Sequence, residues 1–448
     1  MHRRIPHDFH THKSPPMPKN IRTDSRKVEA GDWYIPLIGA NFDGHQFISK
    51  AMENGAVGFF FQKDRKDKLE AKYREKGIQV ENTFNALNQV SNAARQEFTG
   101  HCIGLTGSNG KTTVKEMTAS ILSEEGLTLK NTGNHNNEIG VPLTLLRLTQ
   151  NHDFAVIEMG ARHEGDIRHL CQVASPTIVG ITNVGQAHIG EFGSYETLFK
   201  TKTEIYDSQC QTIICNYDNK DLYTVASKKS KKLITYGKNK KSDIIIGEEN
   251  KTDLNQSITY IIHGQSLAVN FKCYHIHNGI NGAMAAAFSI AANASLQSIK
   301  KGLEQYSNPS GRFEVCKGDF GILVDDSYNA NPESMISGIQ TMNHTYSTSK
   351  LLFVLGDMLE LGPKAQQMHA EISQYLTQFK DISLFTVGSL AKEISPPSHT
   401  RLHKNFENVD DLINYCVNVP VQYDAIYVKG SNSIGLSSFV TFVKSSKK

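Results

Sequence analysis

The stretch TGSNGKTTVKEM, Thr106 to Met117, limits what this chain can fold into more than any other. Ahead of it, CIGLTG (Cys102 to Gly107) is a short apolar run ending in glycine, the pattern of a buried strand. Behind it, Val114, Met117, Ile121 and Leu122 recur at helical spacing. Strand, glycine turn and helix in that order leave the first helical N–H groups unpaired and aimed into the turn, where an anion satisfies them. The common phosphate-loop pattern wants a glycine five positions before Gly110; that position is Leu105, so the loop has the shorter form Gly107-x-x-Gly110-Lys111-Thr112. Its parts still suit a phosphate chain. The glycines allow close approach of the main chain. Lys111 can reach the outer phosphates, and the Thr112 hydroxyl can ligate Mg²⁺. The competing reading is an ordinary glycine turn with a solvated lysine.

A chain of 448 residues exceeds what one core usually supports, so two or three domains are expected. From residue 21 to 99, short strands (DWYIPLIG, Asp32 to Gly39; VGFFFQ, Val57 to Gln62) mix with a helix near Gln46 to Asn54. Residues 100–309 repeat strand-helix units, the α/β pattern of a parallel sheet. That region later alternates like appended antiparallel hairpins, from Lys232 to Cys273, before an alanine-rich helix from Asn281 to Ala294. Residues 310–448 repeat strand-helix units again, with strands ending in Asp or Lys beside Gly. Ligands of such sheets bind beyond the carboxyl ends of the strands. Residues 1–20 hold four histidines, at 2, 7, 10 and 12, and lack the apolar middle of a signal peptide. They read as a disordered polar tail.

Composition excludes several classes. A net charge of +3 is too small to argue for nucleic acid or an anionic membrane, and no apolar run approaches spanning length. Seven cysteines without a C-x-x-C pair indicate neither a disulfide framework nor a zinc site, which fits a reducing cytoplasm.

Further residues have the types and positions that chemistry would need. FAVIEMGA ends a strand in Glu158, where a carboxylate near a phosphate loop ligates Mg²⁺. His188 follows the strand that starts at Thr177, expected to neighbour the Glu158 strand. In the next helix, capped by Ser194, Lys202 shares an apolar stripe with Tyr195, Leu198, Phe199, Ile205 and Tyr206. Spacing alone favours a lysine that snorkels outward; the other reading is a desolvated amine, neutral enough to form a carbamate with CO₂. GNHNNEIG clusters Asn134, Asn136 and Asn137, as a polar substrate or a capped loop would require. DDSYNANPES (Asp325 to Ser334), with Arg312 upstream, could bind ribose and phosphates.

These motifs together resemble the Mur ligase family. TGSNGKTTVKEM, NTGNHNNEIGVPLTLLRL, AVIEMGARHEGDI, HNGINGAMAAA, GRFEV, DDSYNANPESM and GDMLELG stand in the family's order, and the likeness runs from Thr23 to Ser433. The short phosphate loop is the family's own form. The resemblance implies an α/β protein of three domains: a small N-terminal UDP-substrate domain (21–99), a central ATPase domain with a parallel sheet (100–309) and a C-terminal Rossmann-like domain (310–448). It implies ATP on Gly107, Ser108, Asn109, Gly110, Lys111, Thr112 and Thr113, with Asn281 at adenine and Arg312 and Asp326 reaching the nucleotide from the C-terminal domain. It implies two Mg²⁺ sites, one at Thr112 and Glu158 and one at His188 and a carbamylated Lys202. Ser25 and Arg26 would lie near the uridine diphosphate; Asn134, Asn137, Asn329 and Asn331 would face the substrates. The branch it most resembles joins D-alanyl-D-alanine to UDP-N-acetylmuramoyl-tripeptide as a monomer in the cytoplasm, through an acyl phosphate. The chain departs from the family pattern at the N-terminus, where only about twenty residues precede TDSR. A sibling ligase with another acceptor is the nearest rival, although the DNPR signature of the tripeptide synthetases is missing. A nucleotide-binding switch is the rival from another class; it would need neither Lys202 on an apolar stripe nor a third, nucleotide-closing domain.

Overall fold

A computed structural model describes residues 20–185, 189–252, 255–346, 349–419 and 422–445. Of the expected tail only Asn20 is among them, and His188 lies outside them.

Three main sheets follow one another along the chain. The first has four parallel strands in the order Ile21–Arg22, Trp33–Tyr34, Gly58–Gln62 and Gly77–Val80. Residues 32–39, expected as one strand, split: Trp33–Tyr34 joins this sheet, while Ile38–Gly39 pairs antiparallel with Phe42–Asp43 in a separate hairpin. Pro36 lies between them, and without an N–H it cannot extend a ladder.

The central sheet has nine strands, and its parallel part explains the site. His101–Thr106 lies between Ile178–Ile181 and Phe154–Glu158 and is parallel to both. This corrects the expected neighbours: the strand preceding His188 flanks the phosphate-loop strand, and the Glu158 strand flanks it from the other side. Every residue of Phe154–Glu158 is buried, and so are five of six in His101–Thr106, as parallel strands covered on both faces require. The expected hairpins form at one edge, where Ile244–Thr252, Asn255–Ile262 and Gln265–Phe271 pair antiparallel. The alanine-rich helix runs Asn278–Ala291, starting a turn earlier than its apolar pattern indicated. The third sheet has six strands in the order Glu314–Gly318, Gly321–Asp326, Ala425–Lys429, Leu351–Gly356, Ile382–Val387 and Leu402–Phe406. All its pairings but the first are parallel.

The helix Lys111–Leu122 anchors the phosphate loop in the core. Val114, Met117, Ile121 and Leu122 are fully buried. Gly302, in the helix Leu296–Gln305, lies directly against Ile121, and the Gly302 carbonyl accepts from Ser120 Oγ at 2.7 Å. A Cβ at Gly302 would sit 2.6 Å from the Ile121 backbone nitrogen. Helix propensity favours alanine by about 1 kcal/mol, but overpacking against an unyielding backbone costs about 1–3 kcal/mol. Gly302→Ala should therefore destabilise the protein by up to about 2 kcal/mol net. Urea unfolding measures it; a midpoint at or above that of the unmodified protein would show that the two helices are free to part.

Candidate active site

The strand His101–Thr106 ends at Gly107, whose φ of +148° suits glycine, and Gly110, at φ +77°, opens the helix Lys111–Leu122. Helical bonding starts with Val114 N–H to the Gly110 carbonyl, which leaves the amides of Lys111, Thr112 and Thr113 outside the ladder and facing the cavity. The loop is braced from the neighbouring strand end. Ser108 N–H donates to the Asn183 carbonyl and Asn109 N–H to Asn183 Oδ1 (2.9 and 3.0 Å), while Thr182 Oγ1 donates to the Asn109 carbonyl at 2.6 Å. Lys111 Nζ folds back onto the carbonyls of Gly107 and Ser108, at 2.7 and 3.0 Å. Burial lowers its pKa, the Arg312 charge adds to this, and Glu158 opposes it.

Glu158, at the end of its strand, is buried and held on both oxygens. Thr112 Oγ1 donates to Oε2 at 2.9 Å and Asn136 Nδ2 to Oε1 at 2.8 Å. The family resemblance places Thr112 and Glu158 together at one Mg²⁺, and nothing in the sequence singles out Asn136 within its cluster. Asn137 takes the capping role instead, its Oδ1 accepting from Gly140 N–H at 2.9 Å, while Asn134 lies exposed at the cavity wall.

One cavity of about 1200 Å³ joins these groups to the C-terminal sheet. Lys111, Thr112, Glu158, Lys202 and Asn281 line it from the central part, and Arg312, Asp326, Asn329 and Asn331 from the C-terminal part. Arg312 lies over the Tyr328 ring, 4.1 Å from its centroid. Asp326 accepts from Tyr427 Oη (2.9 Å), Lys429 Nζ (2.7 Å) and Phe313 N–H (3.1 Å). Burial raises its pKa against the pull of Lys429, Tyr427 and Arg312. Lys429 also donates to the Asn329 carbonyl, and Asn331 Nδ2 donates to Asn109 Oδ1 at 2.7 Å. Ser25 and Arg26 lie elsewhere, in the turn Ser25–Lys27 of the N-terminal part: Ser25 is buried, and exposed Arg26 pairs with Asp24 at 2.9 Å.

Lys202 does not snorkel. It is 1% exposed, on the helix Tyr195–Thr203, with its Nζ 5.9 Å from the Phe192 ring centroid. Burial, reinforced by the Lys111 charge, lowers its pKa to about 7, with Asp166 and Glu191 opposing. Spacing alone favours the solvated lysine; in the fold Leu198, Ile205 and Tyr206 of this stripe are buried, and Lys202 lines the cavity.

Comparison with known proteins agrees with this geometry. The description "Mur ligase middle domain" matches residues 105–289, "Mur ligase, glutamate ligase domain" 311–432, and "Mur ligase family, catalytic domain" 18–95. A UDP-N-acetylmuramoyl-tripeptide–D-alanyl-D-alanine ligase of Buchnera aphidicola subsp. Baizongia pistaciae is 34% identical over 94% of this chain and 91% of its own. The chain belongs to the Mur ligase family. Among solved structures, MurF from Acinetobacter baumannii superposes with a TM-score of 0.85 at 29% identity, covering 96% of this chain and 95% of that one. MurF ligase from Thermotoga maritima, in complex with ADP, gives 0.83 at 25% identity over 95% and 97%.

In this Mur ligase the sequence reading assigns no role to several groups that brace the site residues: Asn131, Asn136, Asn183, Lys115 and Lys429. Asn131 and Asn136 lie in NTGNHNNEIGVPLTLLRL, Lys115 in TGSNGKTTVKEM and Lys429 at a strand end beside Gly430, but nothing local shows which partner each of them meets. Asn109 was assigned to phosphate, yet its side chain also binds across the cavity, accepting from Asn331 and donating to Glu333 Oε2 at 2.7 Å. Asn109→Ala removes both bonds. In ligand-free protein it should enlarge the radius of gyration by X-ray scattering and leave each part's unfolding midpoint within about 0.5 kcal/mol. Unchanged scattering would mean that other contacts hold the C-terminal part in place.

Proposed function

We propose that this Mur ligase forms an amide bond with ATP, joining D-alanyl-D-alanine to UDP-N-acetylmuramoyl-tripeptide in peptidoglycan precursor synthesis. The observation that carries the reading is a single cavity with the first-turn residues of the helix Lys111–Leu122 and the Thr112–Glu158 pair on one side and Arg312 on the other. The acceptor and donor follow from the relatives, at 26–34% identity, that bear that ligase name. The three-part division at 21–99, 100–309 and 310–448 belongs to the same proposal, as do a monomeric enzyme and a cytoplasmic reaction. Among the described residues, no helix is long and apolar enough to cross a membrane.

A carboxylate is a poor acyl donor until oxide is replaced by a better leaving group. In the proposed route a carboxylate oxygen of the peptide attacks the γ-phosphorus, and the bond to ADP breaks. The dipeptide amine attacks the acyl phosphate, its proton is lost, and phosphate leaves. Lys111 and the loop amides would hold the phosphates in line and offset charge as it shifts. Arg312 would meet the same charge from across the cavity. Mg²⁺ takes hard oxygen ligands and keeps several waters, and the buried Thr112–Glu158 pair at the cavity wall fits it. When bound, the metal would neutralise phosphate charge. A second ion would take carbamylated Lys202 and His188. Asn281 would face adenine, Asp326 the ribose, and Asn134, Asn137, Asn329 and Asn331 the substrates. Ser25 and Arg26 would lie toward the uridine diphosphate.

The discriminating assay is ADP release over a panel of acceptors. Turnover should require both the UDP-tripeptide and D-alanyl-D-alanine. Release with a different amino acid would favour a sibling ligase, and release without any acceptor a nucleotide switch. Lys111→Ala should lower turnover by about 10²–10³-fold with an unchanged circular dichroism spectrum; near-normal turnover at saturating nucleotide would remove the phosphate role.

Carbamylation of Lys202 rests on its burial and lowered pKa. The neutral amine attacks CO₂, an N–C bond forms, one proton is released, and the product carries one negative charge over two oxygens. Because the pKa is about 7, the reactive fraction rises with pH through that value and is small below it. At fixed dissolved ¹³CO₂, the carbamate NMR signal should grow from pH 6 to pH 8 and be lost in Lys202→Ala. A spectrum without that signal in the unmodified protein would return Lys202 to a plain buried amine.

A further inference from the structure

Behind the cavity wall, one helical turn after Lys111, Lys115 is 0% exposed. A lysine without solvent access is costly unless its charge and its N–H groups are met. Three groups meet them. Lys115 Nζ donates to the Asn131 carbonyl at 2.8 Å, lies 3.0 Å from Glu116 Oε1, and lies 3.9 Å from Glu158 Oε2. Asn131 is itself buried and clamps the Glu158 main chain on both sides. Its Oδ1 accepts from Glu158 N–H at 3.0 Å, and its Nδ2 donates to the Glu158 carbonyl at 2.8 Å. The same Nδ2 donates to the His135 carbonyl at 2.9 Å, in the loop that supplies Asn136 to the Glu158 carboxylate. Lys115 therefore lies within ion-pair range of the buried acid and also holds the asparagine that fixes its backbone.

We propose that Lys115 is a positioning residue for Glu158, holding the carboxylate in the one orientation that accepts Mg²⁺ beside the nucleotide phosphates. This rests on the nucleotide reading of the loop. A buried cation near a metal ligand has two opposing effects: its charge repels the metal, and its contacts orient the ligand. Here the repulsion is mostly cancelled, because Glu116 is closer to Nζ than Glu158 is (3.0 against 3.9 Å). Glu116 stays ionised: burial pushes its pKa up, but Lys130 and Lys115 outweigh that and bring it below the ordinary value. Orientation is what remains, so losing Lys115 weakens metal binding.

The test is calorimetric titration of ADP into the full-length protein, with and without Mg²⁺, for the unmodified chain, Lys115→Met, Lys115→Gln and Lys115→Arg. Groups that orient metal ligands typically change metal affinity by about 10–100-fold. Lys115→Met should lose a factor of that size from the Mg²⁺-dependent tightening of ADP and keep its Mg²⁺-free affinity. Lys115→Arg should recover part of the loss. A purely structural lysine would lower the melting temperature and weaken both titrations alike, which would overturn the proposal. If Lys115→Met does not fold, Lys115→Gln, which keeps an N–H donor for the Asn131 carbonyl, carries the test. Undiminished Mg²⁺ tightening, or tightening stronger than normal, in either folded variant would also overturn it. Absence of any Mg²⁺ effect in the unmodified protein would instead remove the nucleotide reading on which it rests.

Discussion

The hydrogen bond from Thr112 Oγ1 to Glu158 Oε2 joins the two elements whose separation defines the site, the helix that follows the phosphate loop and the strand beside it. A carboxylate buried this far has to be fully satisfied, and bonds to a charged acceptor are worth about 1.5–3 kcal/mol each. Moving the helix along the sheet would break this bond at Thr112 and strand a charge in the interior. The register of Lys111–Leu122 against Phe154–Glu158 is thus fixed by one side-chain pair at the cavity wall as well as by the apolar core behind it. Asn136 completes the carboxylate, and that places the loop between residues 133 and 139 over the same cavity.

The opposite wall is built on a comparable principle. Asp326 is a half-buried acid tied to Lys429, Tyr427 and the Phe313 amide, so the end of the strand Gly321–Asp326 is held where it faces the loop. Arg312 is steadied by stacking on Tyr328 and keeps its guanidinium beside the cavity. Between the two walls the Asn109 side chain bonds to Asn331 and Glu333. The Arg162–Glu360 pair and the ring contacts of Tyr274 with His344 and of His275 with Phe313 join the same two parts, and all of these contacts are small in scale. They suit surfaces that meet and separate, in contrast to the dense apolar cores behind each wall.

Much of this was legible along the chain. The strand, turn and helix around Lys111 follow from local rules: a buried run, a glycine that tolerates positive φ, and apolar residues at helical spacing. Glu158 could be read as a strand-end acid, and the edge hairpins from their alternation. The strand order could not be read, because parallel neighbours are chosen by crossovers and packing rather than by spacing in sequence. Residues 32–39 have strand composition throughout, yet Pro36 divides them between two sheets. Spacing alone leaves Lys202 open between two readings and is silent on Lys115, for a shared reason. Helical periodicity identifies which face a lysine occupies, but whether that face meets water, a cavity or a second buried charge depends on chain segments far away.

The sequence by itself determined the α/β architecture, the phosphate loop and the chemical types available to the site, because these depend on backbone sterics and local hydrophobic periodicity. Only the tertiary structure decided that Asn136 rather than Asn137 holds Glu158, that Asn109 bonds to the C-terminal part, and that Lys202 and Lys115 are buried. Those outcomes depend on desolvation and on hydrogen bonds between groups distant along the chain. Their energies exist only once the fold has removed water from between the partners.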